Sequence, residues 1–171
     1  MFQRILDGVT SLAVLAVCIL ILAQAVRSYL PSPPPLPSVA PSAPTRLSPG
    51  DRIEPIAGLD LTASPRTLVL AIQSSCHFCT ESMAFYRELS RQKNASLRLA
   101  VVAPDDPATA RAYVASHGFA PDAMATSDLP TIHVGGTPTL LLVNTFGAIE
   151  RVWMGKLSAA REKEVLAEVA R

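Results

Sequence analysis

Hydrophobic and polar positions are distributed unevenly along the chain, and the longest apolar run lies close to the amino terminus. Residues 9–26, VTSLAVLAVCILILAQAV, include no charged side chain, and a helix of this length comes close to spanning a hydrocarbon core of about 30 Å. The sequence AQA at 23–25, which matches the small-x-small cleavage pattern, and Arg4 ahead of the run are also typical of a cleavable signal peptide. We therefore predict a membrane anchor or a signal peptide over residues 1–28, and either one would carry the remaining chain across a membrane.

Prolines dominate the next stretch, where nine of the chain's fifteen prolines fall within residues 31–55. Proline fixes its own φ angle and lacks a backbone N–H, so a segment of this kind favours extended backbone with little packing. A proline-rich docking motif for an aromatic groove is the alternative interpretation. We predict that residues 29–55 form a linker between the apolar run and a folded domain.

Residues 56–171 alternate short apolar runs with amphipathic segments, which is typical of a small α/β domain. Two runs, TLVLAIQ at 67–73 and LRLAVVA at 97–103, predict buried strands because they are apolar and too short for free-standing helices. Residues 139–155, TLLLVNTFGAIERVWMG, predict a hairpin whose turn lies at NTFG. Residues 121–130 are interpreted as a turn-forming connection between these elements.

The amphipathic segments predict three helices. Residues 80–92, TESMAFYRELSRQ, place apolar side chains at helical spacing and leave charged ones for the solvent. The next helix is predicted to be capped by Asp106, to begin with Pro107 and to end at Gly118. Residues 158–170, SAAREKEVLAEVA, predict the last helix.

Composition and charge exclude several classes of function. The formal net charge is +1 and only 17% of the residues are charged, so the chain lacks the basic field that nucleic-acid binding needs. Three cysteines are too few for a disulfide-rich scaffold, and two of them fall in one motif, CHFC at 76–79. The third, Cys18, lies inside the apolar run and is interpreted as a small hydrophobic residue. The chemistry is therefore expected at the CHFC motif.

The CHFC motif has a position in the chain that favours a reactive thiolate. Cys76 follows a predicted strand, and a helix is expected to begin at or just after it, so its sulfur would lie among free N–H groups at the helix amino end. In such positions the pKa of a cysteine falls from about 8.5 to between about 3.5 and 7.5. Cys79 lies one helical turn further along and would be shielded. We predict Cys76 as the nucleophile of thiol–disulfide exchange and Cys79 as the resolving cysteine.

Two other interpretations of the motif stay open from the residues alone. Soft thiolate ligands bind Cu(I) or Zn, and His133 is the best candidate for a third ligand beside Cys76 and Cys79. A permanent disulfide that only staples the loop is the other interpretation. His117 is expected to serve the carboxyl end of its helix, and Trp153 is expected in the core.

The order of these motifs resembles that of a known fold. The strand TLVLAIQ, the CHFC motif, the following helix and the later GGTPTLLLVNTFGAI resemble thioredoxin-fold proteins, most of all the membrane-tethered thiol:disulfide oxidoreductases of the TlpA and ResA kind. The resemblance implies an α/β thioredoxin fold, a central mixed sheet flanked by helices, over residues 56–171, preceded by a transmembrane helix and a proline-rich linker. It also implies a cis peptide bond between Thr137 and Pro138, against the cysteine pair, and a substrate-binding loop shared with His77 and Phe78. It implies no metal and no cofactor.

The same resemblance implies a function and a location. Proteins of this kind are thiol:disulfide oxidoreductases that act on cysteine pairs of exported proteins, and a redox partner recycles their disulfide. The expected location is the bacterial cytoplasmic membrane, crossed once, with the catalytic domain facing the periplasm or the cell exterior. A copper-binding chaperone on a thioredoxin-like fold is the alternative function.

The residues around the cysteines depart from the usual thioredoxin pattern. Ser75 stands where thioredoxins usually have tryptophan, and His77 and Phe78 replace the glycine and proline between the cysteines. A protonated His77 would favour the Cys76 thiolate and make the disulfide more oxidising, whereas a solvated loop histidine would have no such effect. The sequence therefore leaves open whether the pair reduces or oxidises its substrates.

Further departures concern proton transfer and the shape of the helix. Leu70 occupies the position where many reducing thioredoxins carry a buried acid, and Ala84 occupies that of a helix-kinking proline. Glu81 lies close enough to the motif to act as a substitute base, but it is interpreted first as a charge at the amino end of the helix. No route for the proton of the second cysteine is predicted from the residues.

Overall fold

A computed structural model describes residues 20–22 and 47–171 of the chain. The chain divides into two compact units, Met1–Pro41 and Ser42–Arg171. In the first unit, residues 20–22 are helical and exposed, while the rest of the predicted anchor or signal peptide, and most of the predicted linker, lie outside the described residues. Within the two described ranges, no helix has both the length and the apolar character that crossing a bilayer requires.

The second unit contains five strands and four α-helices within the described residues. The strands are β1 (Arg66–Ala71), β2 (Leu97–Ala103), β3 (Ala123–Thr126), β4 (Thr139–Asn144) and β5 (Ile149–Met154). The helices are α1 (His77–Glu81), α2 (Met83–Gln92), α3 (Pro107–Ser116) and α4 (Ala159–Val169), with a short 3-10 helix at Leu61–Ala63. The predicted strands at 67–73 and 97–103, the hairpin and the helices that begin at Pro107 and end the chain are all confirmed, with small shifts at their ends.

The strands form one mixed sheet in the order β3-β2-β1-β4-β5. Strands β1, β2 and β3 are parallel, while β4 is antiparallel to both β1 and β5. The last residue of β1, Ala71, therefore lies opposite the first residue of β4, Thr139. This register brings the segment after β1, which carries the cysteines, to the same edge of the sheet as the segment before β4.

Alternate residues of each strand point to opposite sides of the sheet, and the two sides are covered differently. Leu68 and Leu70 of β1 pack in one hydrophobic cluster with side chains of the helices, and we call this side the helical face. Val69 and Ala71 pack in a second cluster with side chains from residues 47–61 and 129–134, which contain no α-helix, and we call this side the loop face.

The loop face shows that the folded unit begins earlier than the sequence indicated. Leu47 and Ile53 are buried, Gly50 N–H donates to Ile149 O at 2.8 Å, and Arg52 forms an isolated bridge with Ala148. Residues 47–55, which were predicted as part of the linker, therefore pack on the domain. The proline-rich pattern continues up to residue 55, but the apolar side chains of Leu47 and Ile53 within it cover the loop face of the sheet.

Two local predictions are wrong. Strand β3 lies within 121–130, which was interpreted as a turn-forming connection; its short sequence, AMAT, has little strand character of its own and is held by pairing with β2. The single helix predicted to begin at or just after Cys76 and to continue to residue 92 is interrupted at Ser82, whose Oγ donates to Phe78 O at 2.8 Å. A serine that bonds back to the carbonyl four residues earlier bends a helix, so α1 and α2 are separate without a proline.

Candidate active site

The two cysteines of the CHFC motif lie at the first turn of α1 and form a disulfide, with their Cα atoms 5.2 Å apart. The segment that leads to them is fixed by hydrogen bonds. Cys76 N–H donates to Gln73 O at 3.0 Å, and Ser74 donates to the Asp105 carboxylate through both its N–H and its hydroxyl. The turn between β1 and α1 is thus tied to the end of β2, which places Cys76 at the edge of the sheet.

The environments of the two sulfur atoms differ. Cys76 is the N-cap of α1, is partly exposed, and its Sγ accepts a hydrogen bond from Cys79 N–H at 3.1 Å. Cys79 is fully buried and belongs to the hydrophobic cluster of the helical face. A backbone N–H directed at a sulfur favours its ionised form, while a buried sulfur is shielded from outside reagents. Cys76 is therefore the more accessible of the two cysteines.

The Thr137–Pro138 segment lies against the cysteine pair. Its peptide bond is cis, and Thr137 O is 3.5 Å from Cys76 Sγ. Two hydrogen bonds hold the segment, from Thr139 Oγ1 to Gly136 O at 2.7 Å and from Gly155 N–H to Pro138 O at 2.7 Å. The antiparallel pairing of β4 with β1 and β5 therefore brings Thr137 and Cys76 together across a long separation in sequence.

His77 and Phe78, which lie between the cysteines, both point outward. The Phe78 side chain is 54% exposed although it is large and apolar. The His77 ring lies beside that of Phe78, with 5.8 Å between the ring centroids, and His77 Nε2 is 3.1 Å from Glu81 Oε1. The surface next to Cys76 thus offers an aromatic ring and an imidazole.

Glu81 lies between two positively charged or titratable groups. Its Oε2 accepts a hydrogen bond from Lys156 Nζ at 2.7 Å, and its Oε1 faces His77. The hydrogen bond from Lys156, with a smaller contribution from His77, lowers the pKa of Glu81 below its usual value. A carboxylate held in its ionised form in this way is a poor proton shuttle at neutral pH. Glu81 was predicted to act as a charge at the amino end of the helix, whereas in the structure its carboxylate contacts two side chains, those of Lys156 and His77.

Lys156 is the site residue that the sequence did not reveal. It follows β5, far along the chain from the CHFC motif, and nothing in its local pattern distinguishes it from other exposed lysines. It reaches Glu81 only because the pairing of β5 with β4 brings residues 154–156 to the edge of the sheet that carries α1.

Leu70, at the position of the buried acid of many thioredoxins, is fully buried. Among the residues that the structure describes, the buried polar side chains are Thr67, Ser82 and Thr139, and none of these three is a carboxylate.

The metal-binding interpretation finds no support in the geometry. In residues 20–22 and 47–171, no three histidine, cysteine, aspartate or glutamate side chains are grouped so that they could hold a metal ion. His133 is exposed in a left-handed turn with φ of 55° and does not complete a site with the cysteines. The expected third ligand is thus an exposed turn residue, whereas a structural zinc site needs four ligands held together.

The two remaining residues noted in the sequence lie where they were expected. Trp153 is 1% exposed in the core of the helical face, and its Nε1 donates to Glu164 at 3.1 Å. His117 follows α3, and its Nδ1 is 2.8 Å from Tyr113 O, in the last turn of that helix. Neither side chain belongs to the candidate site.

No protein-family model matches the sequence, and no curated protein is significantly similar to it. Solved structures do match the fold. The thioredoxin domain of a thiol-disulfide oxidoreductase from Bacteroides vulgatus is 14% identical, with a TM-score of 0.57 over 74% of this chain and 100% of that one. A thiol:disulfide interchange protein from a Bacteroides species is also 14% identical, with a TM-score of 0.57 over 73% of this chain and 92% of that one.

A third structure is a secreted disulfide oxidoreductase from Mycobacterium tuberculosis, described as homologous to DsbE of Escherichia coli. It is 13% identical, with a TM-score of 0.51 over 64% of this chain and 83% of that one. Similarity at this level of identity establishes the fold. The chain therefore has the thioredoxin fold.

Proposed function

We propose that the protein is a thiol:disulfide oxidoreductase in which Cys76 is the nucleophile and Cys79 the resolving cysteine. The observation that carries this proposal is the difference between the two sulfur environments. Cys76 is partly exposed at the helix N-cap and accepts the Cys79 N–H at 3.1 Å, while Cys79 is fully buried. An ionised, accessible sulfur beside a shielded one is the arrangement that two-step thiol–disulfide exchange requires.

The exchange is balanced within the cysteine pair and the substrate. In the reducing direction the Cys76 thiolate attacks one sulfur of a substrate disulfide, and the other substrate sulfur leaves as a thiolate that takes up a proton. Cys79, after losing its proton to solvent, attacks Cys76 Sγ, which restores the Cys76–Cys79 disulfide and releases the second substrate thiol. The substrate gains two electrons from the cysteine pair and two protons from solvent, and the pair releases one proton to solvent when Cys76 ionises and one when Cys79 ionises. The oxidising direction is the reverse.

The groups around Cys76 suit an extended peptide substrate. Thr137 O lies 3.5 Å from Cys76 Sγ, so a backbone N–H of a peptide bound at this carbonyl would bring a neighbouring substrate cysteine close to the nucleophile. The exposed ring of Phe78 provides apolar contact area next to the same sulfur. Thr137, Pro138, His77 and Phe78 thus form the substrate-binding loop of the proposal.

The substrates we propose are cysteine pairs of exported proteins, and a separate redox partner recycles the Cys76–Cys79 pair. Two features support this: the apolar run at 9–26, which predicts export or anchoring, and the proline-rich segment that follows it. One of the solved structures of the same fold is a secreted disulfide oxidoreductase. We place the protein in the bacterial cytoplasmic membrane, with the domain outside. A membrane-impermeant maleimide applied to intact cells should label reduced Cys76, and labelling only after lysis would contradict this location.

Insulin reduction by dithiothreitol tests the activity. The full chain should accelerate it, Cys76→Ser should abolish the acceleration, and Cys79→Ser should accumulate mixed disulfides through Cys76, because the resolving thiol is gone. Cys18→Ser is the matched control, since it removes the third cysteine and should leave the rate unchanged. Acceleration that survives both Cys76→Ser and Cys79→Ser would rule out the proposal.

A redox titration of the pair in glutathione or dithiothreitol buffers decides the direction of the reaction in the cell. A potential near that of thioredoxin, about −270 mV, would indicate a reductant, and one near that of DsbA, about −120 mV, would indicate an oxidant.

A further inference from the structure

Three side chains, His77, Glu81 and Lys156, meet directly beside the cysteine pair. Both carboxylate oxygens of Glu81 are engaged: Oε1 is 3.1 Å from His77 Nε2, and Oε2 is 2.7 Å from Lys156 Nζ. His77 is the first residue of α1 and follows the N-cap Cys76. A side chain directly adjacent in sequence to the proposed nucleophile is thus tied to a carboxylate one helical turn away.

This contact alters what His77 contributes to Cys76. An imidazolium close to a thiolate stabilises the thiolate, because opposite charges favour the ionised form. A carboxylate 3.1 Å from the ring turns the imidazolium into one half of an ion pair, whose field at a third atom is weaker than that of a single charge. The 3.1 Å contact with Glu81 Oε1 also holds His77 Nε2 along the helix, and the hydrogen bond from Lys156 keeps the carboxylate in place.

We infer that Glu81 is a positioning residue that sets the oxidising strength of the Cys76–Cys79 pair through His77. By holding the imidazole and balancing its charge, Glu81 limits the stabilisation that His77 gives to the Cys76 thiolate. The inference rests on the proposed function, because it assigns Glu81 to the same exchange reaction. Glu81 acts through His77 and not on the sulfur atoms themselves.

The direction of the effect follows from the thiolate. A more stable Cys76 thiolate favours the reduced form of the protein, so the disulfide becomes a stronger oxidant. Glu81→Gln keeps the shape of the side chain and removes its charge. After this substitution, His77 should stabilise the Cys76 thiolate more strongly, and the disulfide should become more oxidising.

The test is a four-variant cycle on the full-length chain: wild type, Glu81→Gln, His77→Gln and the double variant. Each is equilibrated with glutathione buffers at pH 6, where a histidine carries substantial positive charge. Glu81→Gln should raise the equilibrium constant for oxidation of glutathione by about threefold to tenfold, where tenfold corresponds to about 30 mV. In the His77→Gln background, the same substitution should change the constant by less than about twofold, because the group through which Glu81 acts is absent.

Glu88→Gln is the matched control. The Glu88 side chain is 36% exposed, against 35% for Glu81, and it is also held in an ion pair, with Arg91 at 2.6 Å. It lies on α2 and takes no part in the His77 pair, so its substitution should leave the equilibrium constant unchanged. A shift with Glu88→Gln equal to that with Glu81→Gln would overturn the inference, since any nearby negative charge would then have the same effect.

The cycle separates this inference from the proposed function. A wild-type pair that exchanges with glutathione, together with a Glu81→Gln shift that is absent or is the same with and without His77, would overturn the inference alone. A wild-type pair that does not exchange with glutathione would overturn the proposed function and the inference together.

Discussion

The two faces of the sheet carry different parts of the candidate site. The helical face is covered by regular helices, and its core includes Cys79, the proposed resolving cysteine. The loop face is covered by residues 47–61 and 129–134, which contain no α-helix, and the second of these segments leads into Thr137. The reactive pair therefore belongs to the regular side of the molecule, and the proposed substrate-binding carbonyl follows a segment of the irregular side.

This difference teaches how the site is assembled. A helix N-terminus places Cys76 and Cys79 through short-range geometry, which holds wherever a strand, a tight turn and a helix follow each other. The carbonyl of Thr137 is placed by strand pairing between β4 and β1 and by apolar packing under the loop that precedes it. Loss of packing on the two faces should consequently have different results.

The largest effect is expected for Leu89→Ala on the helical face. Leu89 of α2 is fully buried in the core of that face, so the substitution leaves a cavity between packed helices and should lower the free energy of unfolding by about 3 kcal/mol. Ile53→Ala is the matched change on the loop face, where Ile53 is 5% exposed. Its irregular segment can collapse into the space, so we expect about 2 kcal/mol.

Urea denaturation of the oxidised chain measures both values. An equal loss in the free energy of unfolding for Ile53→Ala and Leu89→Ala would contradict the proposed difference between the faces, because the segments of the loop face would then be packed as rigidly as helices.

A smaller effect of opposite sign is expected for Thr67→Val on the loop face. Thr67 is fully buried, and its hydroxyl oxygen has no hydrogen-bond partner among the described residues. Removing an unsatisfied buried hydroxyl should raise the free energy of unfolding by about 1 kcal/mol. Thr139→Val is the matched control, since Thr139 is also buried but its hydroxyl donates to Gly136 O. Loss of this hydrogen bond should lower the free energy of unfolding by about 1 kcal/mol. Destabilisation by Thr67→Val would contradict the account of this face.

The smallest effect is expected for Lys156→Met at the edge of the helical face. Without the hydrogen bond from Lys156, the pKa of Glu81 should rise towards its ordinary value of 4.5. Because the pKa of Glu81 is lowered in the wild type, its contact with Lys156 stabilises the fold at pH values above the ordinary pKa of a glutamate. This contribution disappears as the pH falls through the pKa that Glu81 has in the folded state. Wild type and variant should therefore differ in stability at neutral pH and converge in acid. A titration of the Glu81 carboxyl by NMR checks this, and an unchanged midpoint would remove Lys156 from the cluster.

Local sequence patterns predicted most of the helical face and the position of Cys76 at the start of a helix. Capping by Asp106, the apolar run of β1 and the cysteine spacing each depend on neighbours within a few residues, so they can be seen in the sequence. The break at Ser82 was not predicted, because a serine bends a helix only when its hydroxyl donates to the carbonyl four residues earlier. The residue types alone do not reveal whether this hydrogen bond forms.

The loop face and the cluster around Glu81 could not be predicted in the same way. Strand β3 is held by pairing with β2, not by the propensity of its own residues. The prolines before residue 47 continue without interruption into the packed segment, so the border of the domain has no compositional signal. Lys156 meets Glu81 across 75 positions of sequence, and such a contact follows from sheet topology alone. The Thr137–Pro138 segment was identified only through its resemblance to known proteins.

Two consecutive residues after β5 form hydrogen bonds with both parts of the candidate site, the Thr137–Pro138 segment and the helix that carries the cysteines. Gly155 N–H binds the carbonyl of Pro138, and Lys156 binds Glu81 beside the cysteines. A single dipeptide thus links the Thr137–Pro138 segment to the helix that carries the cysteines. An insertion or deletion there would disturb both contacts at once.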